Sequence, residues 1–139
     1  MKFLLDTNVI SELRKIKTGK INPNVKAWAE TVLPSQLFLS VVTLLELEMG
    51  IELIERRDVA QAALLRTWLI HHVLPTFDGR IIVIDVATAL CCGRLHVPDP
   101  RSDRDALIAA TAIVHDMTVV TRNVADFKST GVKILNPWE

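Results

Sequence analysis

Short runs rich in β-branched residues and leucine alternate along this chain with longer stretches of helical periodicity, and this alternation constrains the fold more than any other feature. The predicted strands cover residues 2–5, 37–41, 81–84, 118–121 and 132–135. The predicted helices cover residues 8–16, 23–32, 44–56, 59–73, 86–95 and 105–115. Because parallel strands need long crossover connections that are usually helical, the pattern predicts an α/β fold whose mainly parallel sheet is covered on both faces.

Length and cysteine content limit the class of protein. A chain of 139 residues can bury its own core, so we expect a single domain over residues 1–139. The only cysteines, Cys91 and Cys92, are adjacent and predict no disulfide framework. The sequence has neither a basic-then-apolar leader nor an apolar run of membrane-spanning length, which predicts a cytoplasmic location and no membrane association.

The charge is balanced overall but unevenly distributed. Sixteen basic and sixteen acidic side chains give a formal net charge of zero, so no overall positive field indicates a nucleic-acid binder. Residues 13–29 nevertheless contain five basic side chains and no acid. This segment is either a solvated helix face or a surface that guides RNA.

Acidic side chains recur where a predicted strand ends or the next helix begins. They are Asp6, Glu46, Asp85, Asp105 and Asp126, with Thr121 and Asn123 close to the last of them. The carboxyl ends of parallel strands share one edge of a sheet, so we expect most of these groups to lie together, with the loop at 96–102 delivering Asp105. Converging carboxylates repel unless a cation intervenes, and oxygen ligands without histidine or cysteine suit Mg²⁺ or Mn²⁺. The pattern therefore predicts a metal site suited to phosphodiester hydrolysis.

Each acid also has a purely structural interpretation. Asp6 and Asp85 suit the N-caps of the helices that follow them, and TLLE at 43–46 fits a capping box. Asp105 would favour the dipole of its helix, and Asp126 would cap a short turn. Only the joint placement of the acids favours the metal site.

Other catalytic patterns are missing from the sequence. It contains no GxSxG, no GxxxxGK[ST] and no GxGxxG motif. Cys92 and His96 have helical spacing, but no second pair of ligands completes a zinc site.

Five stretches together resemble one family of proteins. They are LLDTNVISELRK at 4–15, SVVTLLELEMG at 40–50, DALIAATA at 105–112, VVTRNVADF at 119–127 and ILNPW at 134–138. In this order and spacing the chain resembles the PIN-domain ribonucleases of the VapC toxin family, particularly the FitB-like branch, over nearly its whole length. The resemblance implies a three-layer α/β/α sandwich on a five-stranded, mainly parallel sheet.

The resemblance also implies a set of functional residues. The catalytic, metal-binding acids of the family fall on Asp6, Glu46, Asp105 and Asp126, and the cofactor would be Mg²⁺ or Mn²⁺. Thr121 matches a threonine that orders the pocket. Asn123 stands where many PIN domains carry aspartate, which leaves the fourth polar group open among the residues Asp126, Asn123 and Asp103.

Activity and partners follow from the same resemblance. It implies the toxin of a type II toxin–antitoxin system, a homodimeric endoribonuclease that cuts tRNA or other structured RNA. A VapB-type antitoxin would fill the groove at the site with its C-terminal segment and would bind operator DNA with its N-terminal half. On charge alone, Ser11, Arg14, Lys15 and Lys17 are candidates for guiding the RNA.

Two other functions are compatible with parts of the sequence. A receiver-like signalling domain would use Asp85 as phosphoacceptor, but it needs an acidic pair after the first strand, and here Asp6 is followed by Thr7 and Asn8. A catalytically silent PIN domain that only binds a partner is the second alternative, and retention of all four acids argues against it.

Overall fold

The chain forms a parallel sheet between two layers of helices. In the computed structural model, which describes residues 1–139, the strands are β1 (Phe3–Leu5), β2 (Leu37–Ser40), β3 (Ile81–Ile82), β4 (Thr118–Val120) and β5 (Ile134–Leu135). Their order in the sheet is β3-β2-β1-β4-β5, and every neighbouring pair is parallel. All five predicted strands and the α/β class are confirmed, although each strand is shorter than predicted.

Eight α-helices connect and cover the strands. They are α1 (Thr7–Leu13), α2 (Pro23–Glu30), α3 (Val41–Glu55), α4 (Val59–Trp68), α5 (Leu74–Thr76), α6 (Val86–Leu95), α7 (Asp103–Val114) and α8 (Val124–Phe127). A π-helical turn, Leu69–Val73, joins α4 to α5, and a 3₁₀ turn, Arg14–Thr18, follows α1. The short helix α8 lies in a stretch where the sequence predicted none, between the fourth and fifth strands.

Alternation along the central strands divides the core into two layers. Phe3 and Leu5 on β1 pack with apolar side chains of α1, α3 and α4, whereas Leu4 packs on the opposite face with α7 and α8. On β4, Val120 joins the first cluster and Val119 the second. Both faces of β1 and β4 are therefore buried, which fixes the ends of these strands in place.

The strand order creates a switch point between β1 and β4. The chain adds β2 and β3 on one side of β1 and then crosses to place β4 on the other side. The backbone hydrogen bonding between β1 and β4 continues one residue past the end of β1, because the Asp6 N–H donates to the Val120 carbonyl at 2.9 Å. Ligand sites in open α/β sheets form outside the carboxyl ends of the strands at such a point. Asp6 and Thr121 are the residues that follow the two strands there.

Helix α3, which carries Glu46, is capped differently from the prediction. Ser40 is the N-cap, and its Oγ accepts from the Val42 N–H at 3.0 Å. Thr43 lies inside the helix and donates its hydroxyl to the Leu5 carbonyl at 3.4 Å. The capping box predicted at 43–46 is therefore wrong, and Glu46 lies in the second turn of α3 rather than the first.

Asp85 has the structural role that its position favoured. It is the N-cap of α6, and its Oδ1 accepts from the Thr88 N–H at 2.8 Å. Cys91 and Cys92 on the same helix are buried free thiols that pack against Ala106 and Ala110 of α7. None of the helices combines the length and apolar character that a membrane span requires.

The cap at Ser40 gives a stability test. We expect Ser40→Ala to lower the free energy of unfolding by about 1 kcal/mol, because the Val42 N–H loses its acceptor in a buried position. Urea denaturation followed by circular dichroism measures the change. The exposed Ser35→Ala is the control and should unfold like the wild type; equal stabilities of the two variants would contradict the cap.

Candidate active site

Asp6 lies buried at the switch point and is held by three donors. Only 6% of the residue is exposed. Its Oδ1 accepts from the Thr7 N–H at 2.8 Å, which makes it the N-cap of α1. Its Oδ2 accepts from the Thr121 hydroxyl at 2.8 Å and from Asn8 Nδ2 at 3.3 Å. Both the capping role and the predicted convergence with Thr121 are therefore present in one side chain.

Burial is the main influence on the ionisation of Asp6. Desolvation raises the pKa of this carboxyl above its ordinary value, and the hydrogen bonds from Thr121 and Thr7 oppose that rise. The negative charge of Glu46 raises the pKa further. The influence of Glu46 indicates that the acids after β1 and in α3 share one electrostatic environment.

Glu46 approaches the site from α3. The Thr7 hydroxyl donates to its Oε1 at 2.6 Å, and Arg104 Nη1 lies 3.7 Å from its Oε2. Thr7 therefore links the two acids, because its N–H binds Asp6 and its hydroxyl binds Glu46.

Asp105 faces this cluster from α7. It is the third residue of the helix rather than the first, since Ser102 is the N-cap and accepts from the Asp105 N–H at 3.4 Å. Its half-buried carboxylate forms no ion pair. Burial, followed by the charges of Asp126, Asp6 and Glu46, raises the pKa of Asp105 to about 6. The other three acids predicted from the sequence thus act on the carboxyl group of Asp105.

Asp126 and Asp103 occupy different surroundings. Asp126 is exposed on α8, and together with Asp105 it lines a polar cleft of about 520 Å³. Its side chain forms no hydrogen bond, so the predicted cap of a short turn is wrong. Asp103 points to His96 Nε2 at 3.3 Å and is almost fully exposed. Of the candidates for the fourth polar group, Asp126 is therefore the one that shares a cleft with Asp105.

Two polar residues beside the acids order the end of β4. Thr121 is fully buried, and its Oγ1 accepts from the Asn123 N–H at 3.0 Å while its hydroxyl binds Asp6. Asn8 accepts from the Arg122 N–H at 3.2 Å, which joins the segments after β1 and β4. The role of Asn8 was missed in the sequence, although it stands within the DTN stretch that contains Asp6.

The donor set suits a hard divalent cation. The available groups are carboxylate, hydroxyl and amide oxygens, which are the ligands that Mg²⁺ and Mn²⁺ prefer. The raised pKa of Asp105, caused by burial and then by its neighbours, reflects negative charge that such a cation would relieve. In the present arrangement no group of three or more histidine, cysteine, aspartate or glutamate side chains is close enough together to hold a metal. The contacts of Glu46 with Thr7 and Arg104 occupy both of its carboxylate oxygens.

The basic segment lies beside a separate groove next to the acids. Arg14 lines this groove with Thr7 and Glu46, and its guanidinium lies 5.9 Å from the centroid of the Trp68 ring. The groove has a volume of about 260 Å³ and a largely apolar wall. Outside the groove, Lys15 pairs with Glu12 at 3.0 Å and Lys17 is exposed on the 3₁₀ turn.

Comparisons with known proteins identify relatives over the whole chain. The profile of the PIN domain family matches residues 3–133. VapC ribonuclease Y4jK of Sinorhizobium fredii is 34% identical over 98% of this chain and 97% of its own length. A crystal structure of FitAcB from Neisseria gonorrhoeae superposes with a TM-score of 0.87 at 32% identity, over 99% of each chain. A toxin–antitoxin complex from Klebsiella pneumoniae superposes with a TM-score of 0.67 at 28% identity, also over 99% of each chain.

The raised pKa of Asp105 predicts a dependence of stability on pH. The group binds its proton more tightly in the folded chain than in the unfolded one, so its ionisation destabilises the fold as the pH rises from about 4 through about 6. At pH 7.5 in EDTA we expect Asp105→Asn to be more stable than the wild type by about 1 kcal/mol, a value reduced for solvent screening.

Urea denaturation at pH 7.5 and pH 4.5 measures this difference, which should shrink at the lower pH. The control is Asp99→Asn in the exposed loop before α7, where we expect no gain at either pH. A stability difference that does not change with pH would contradict the assignment.

Proposed function

Because this chain belongs to the PIN-domain family, we propose that it is the toxin of a type II toxin–antitoxin system, a divalent-metal-dependent endoribonuclease that hydrolyses RNA phosphodiester bonds. The observation that carries the proposal is the placement of Asp6 at the switch point, where the Thr121 hydroxyl fixes it and Thr7 links it to Glu46. Burial and then the charges of Asp126, Asp6 and Glu46 raise the pKa of Asp105 on α7, in agreement with an acidic site there. A site that gathers several carboxylates at a switch point is suited to metal-assisted phosphate chemistry. The similarity to a protein named VapC ribonuclease supports the same activity.

We assign four acids that would hold Mg²⁺ or Mn²⁺. Asp6 and Asp105 would be the principal ligands, and Glu46 and Asp126 would complete the acidic pocket directly or through water. When bound, the ion supplies a water of lowered pKa and compensates the charge of a phosphate oxygen. Hydrolysis of the phosphodiester in this site would leave 5′-phosphate and 3′-hydroxyl ends on the cut RNA.

The protein supplies orientation around this chemistry. The Thr121 hydroxyl and the Thr7 N–H each bind one oxygen of Asp6, so the carboxylate cannot rotate away from the site. Asn8 and Asn123 fix the backbone turn after β4 in the same network. Pre-organised ligands reduce the reorganisation that the reaction needs. Arg14, Lys15 and Lys17 guide the RNA, which we expect to be tRNA or another structured RNA.

The proposed partner is a VapB-type antitoxin. Similarity to one chain of the Klebsiella pneumoniae toxin–antitoxin complex supports it. The groove between α1, α3 and α4, which Arg14, Glu46 and Trp68 line, suits the C-terminal segment of the antitoxin. Operator DNA would bind only through the antitoxin. We further propose that the protein is a cytoplasmic homodimer in which residues 1–139 form one PIN domain.

The position of Asp85 does not suit a phosphoacceptor, which argues against the receiver-like alternative. Asp85 caps α6 through Thr88 and lies beyond the edge strand β3, away from the acids at the switch point. Intact-mass measurement after incubation with a small phosphodonor should therefore detect no added phosphate on Asp85.

The central test uses an Asp6→Asn variant. Asparagine is as good an N-cap as aspartate, so the helix start is preserved while the charge is lost. We expect cleavage of RNA in Mn²⁺ to fall by about 100-fold or more. Sequencing of RNA ends after brief expression of wild type and variant measures activity and also reveals the target.

A matched control is Asp116→Asn at the opposite end of β4. Asp116 has a φ of 52°, which asparagine also tolerates, and its only ion pair is an exposed one with Lys133. This variant should cut RNA like the wild type. If antitoxin-free Asp6→Asn cuts as fast as the wild type, the metal-dependent mechanism fails; if the wild type cuts no RNA, the silent binding module becomes the better description.

A further inference from the structure

Arg104 is a basic residue at the acidic site that the sequence patterns did not single out. It stands on α7 directly before Asp105, and about half of its side chain is exposed. Its Nη1 lies 3.7 Å from Glu46 Oε2 and 3.5 Å from Met49 Sδ, so the guanidinium lies along one turn of α3. No other basic side chain forms an ion pair with any of the four acids.

Glu46 is consequently engaged at both of its oxygens. Thr7 binds Oε1 at 2.6 Å, and Arg104 approaches Oε2. A carboxylate held between a hydroxyl and a guanidinium must exchange one of these partners before it can bind a cation. The Thr7 contact is the shorter one and also connects Glu46 to the N-cap of α1. Arg104 is therefore the partner that a cation displaces from Glu46.

The Arg104 contact is weak enough to be exchanged. At 3.7 Å it is longer than a charge-assisted hydrogen bond, and both side chains retain contact with solvent. A divalent cation interacts more strongly with the same acids because its charge is twice as large. Once displaced, the guanidinium carries an uncompensated positive charge on an exposed side chain next to Asp105.

The planar guanidinium then suits a phosphate of the substrate. Arginine binds phosphate through two parallel N–H donors, and its exposed position on the first turn of α7 is accessible to a nucleic-acid strand. A strand that enters a site walled by carboxylates needs a cation beside it to offset the repulsion of its own phosphates.

We propose that Arg104 and a divalent cation compete for Glu46, and that the displaced guanidinium binds a phosphate of the RNA next to the bond that is cut. The inference rests on the proposed ribonuclease function. It assigns Arg104 two roles of opposite sign, since the residue weakens metal binding and strengthens RNA binding. A residue that only supports the packing of α7 on α3 would not produce that combination.

The first measurement is Mn²⁺ binding by isothermal titration calorimetry at pH 7.5. We expect Arg104→Gln to bind Mn²⁺ about two- to fivefold more tightly than the wild type, because a competing cation is removed. Arg104→Lys keeps the charge and should stay near the wild type. The control Arg57→Gln removes an exposed arginine that forms no ion pair and should not change the affinity.

The second measurement is cleavage of a single-stranded RNA oligonucleotide at saturating Mn²⁺. The KM of Arg104→Gln should rise by about five- to tenfold, while kcat changes by less than about twofold. Arg104→Lys should recover part of the loss, since lysine binds phosphate as a point charge without the fork geometry. Circular dichroism of each variant checks that the helical content of the protein is retained.

The outcomes separate this inference from the function on which it rests. Mn²⁺ affinity that is unchanged or weakened in Arg104→Gln overturns the competition, and an unchanged KM overturns the phosphate contact. A wild type that cuts no RNA overturns the proposed function together with the phosphate contact, whereas the titrations still decide the competition. A wild type that cuts RNA but binds no Mn²⁺ overturns the competition and the metal dependence of the proposed function, while the KM measurement still decides the phosphate contact.

Discussion

Repulsion among carboxylates held at the ends of two buried strands is the constraint on which the rest of the site depends. Asp6 cannot move away from the other acids, because β1 is covered on both faces and three donors fix the Asp6 side chain. The other acids come to it on helices whose apolar faces pack on the same sheet. The fold therefore stores unfavourable charge at the place where it can be relieved by a cation, which is a common arrangement at functional sites.

Structural and functional interpretations of the same residue prove compatible here. Asp6 uses Oδ1 to cap α1 and presents Oδ2 to Thr121, so the cap also orients the carboxylate. Thr7 has a similar double use, with its N–H on Asp6 and its hydroxyl on Glu46. A cap is strongest when the backbone turn is rigid, and the same rigidity keeps a ligand oxygen in position.

Local patterns predicted the elements well, and they missed what depends on long-range packing. Strand positions, the caps at Asp6 and Asp85 and the set of acids follow from periodicity and from residue types at strand ends. The start of α3 could not be predicted in this way. The Thr43 hydroxyl donates to the Leu5 carbonyl on β1, and Ser40 is the N-cap instead. The switch between β1 and β4 also depends on strand order, which no local pattern specifies.

The stored charge links the stability of the fold to its ligands. An ionised group whose pKa is raised by burial and by like charges destabilises the folded chain, and any cation that binds only the folded form reverses this effect. Arg104 already provides part of that compensation through Glu46, and it also lowers the pKa of Asp105, against the larger effects of burial and the neighbouring acids. A residue from the chain itself can thus stabilise the fold moderately without closing the site, since its contact is long and exposed. Tighter pairing would give a more stable protein whose acids were less available to a metal ion.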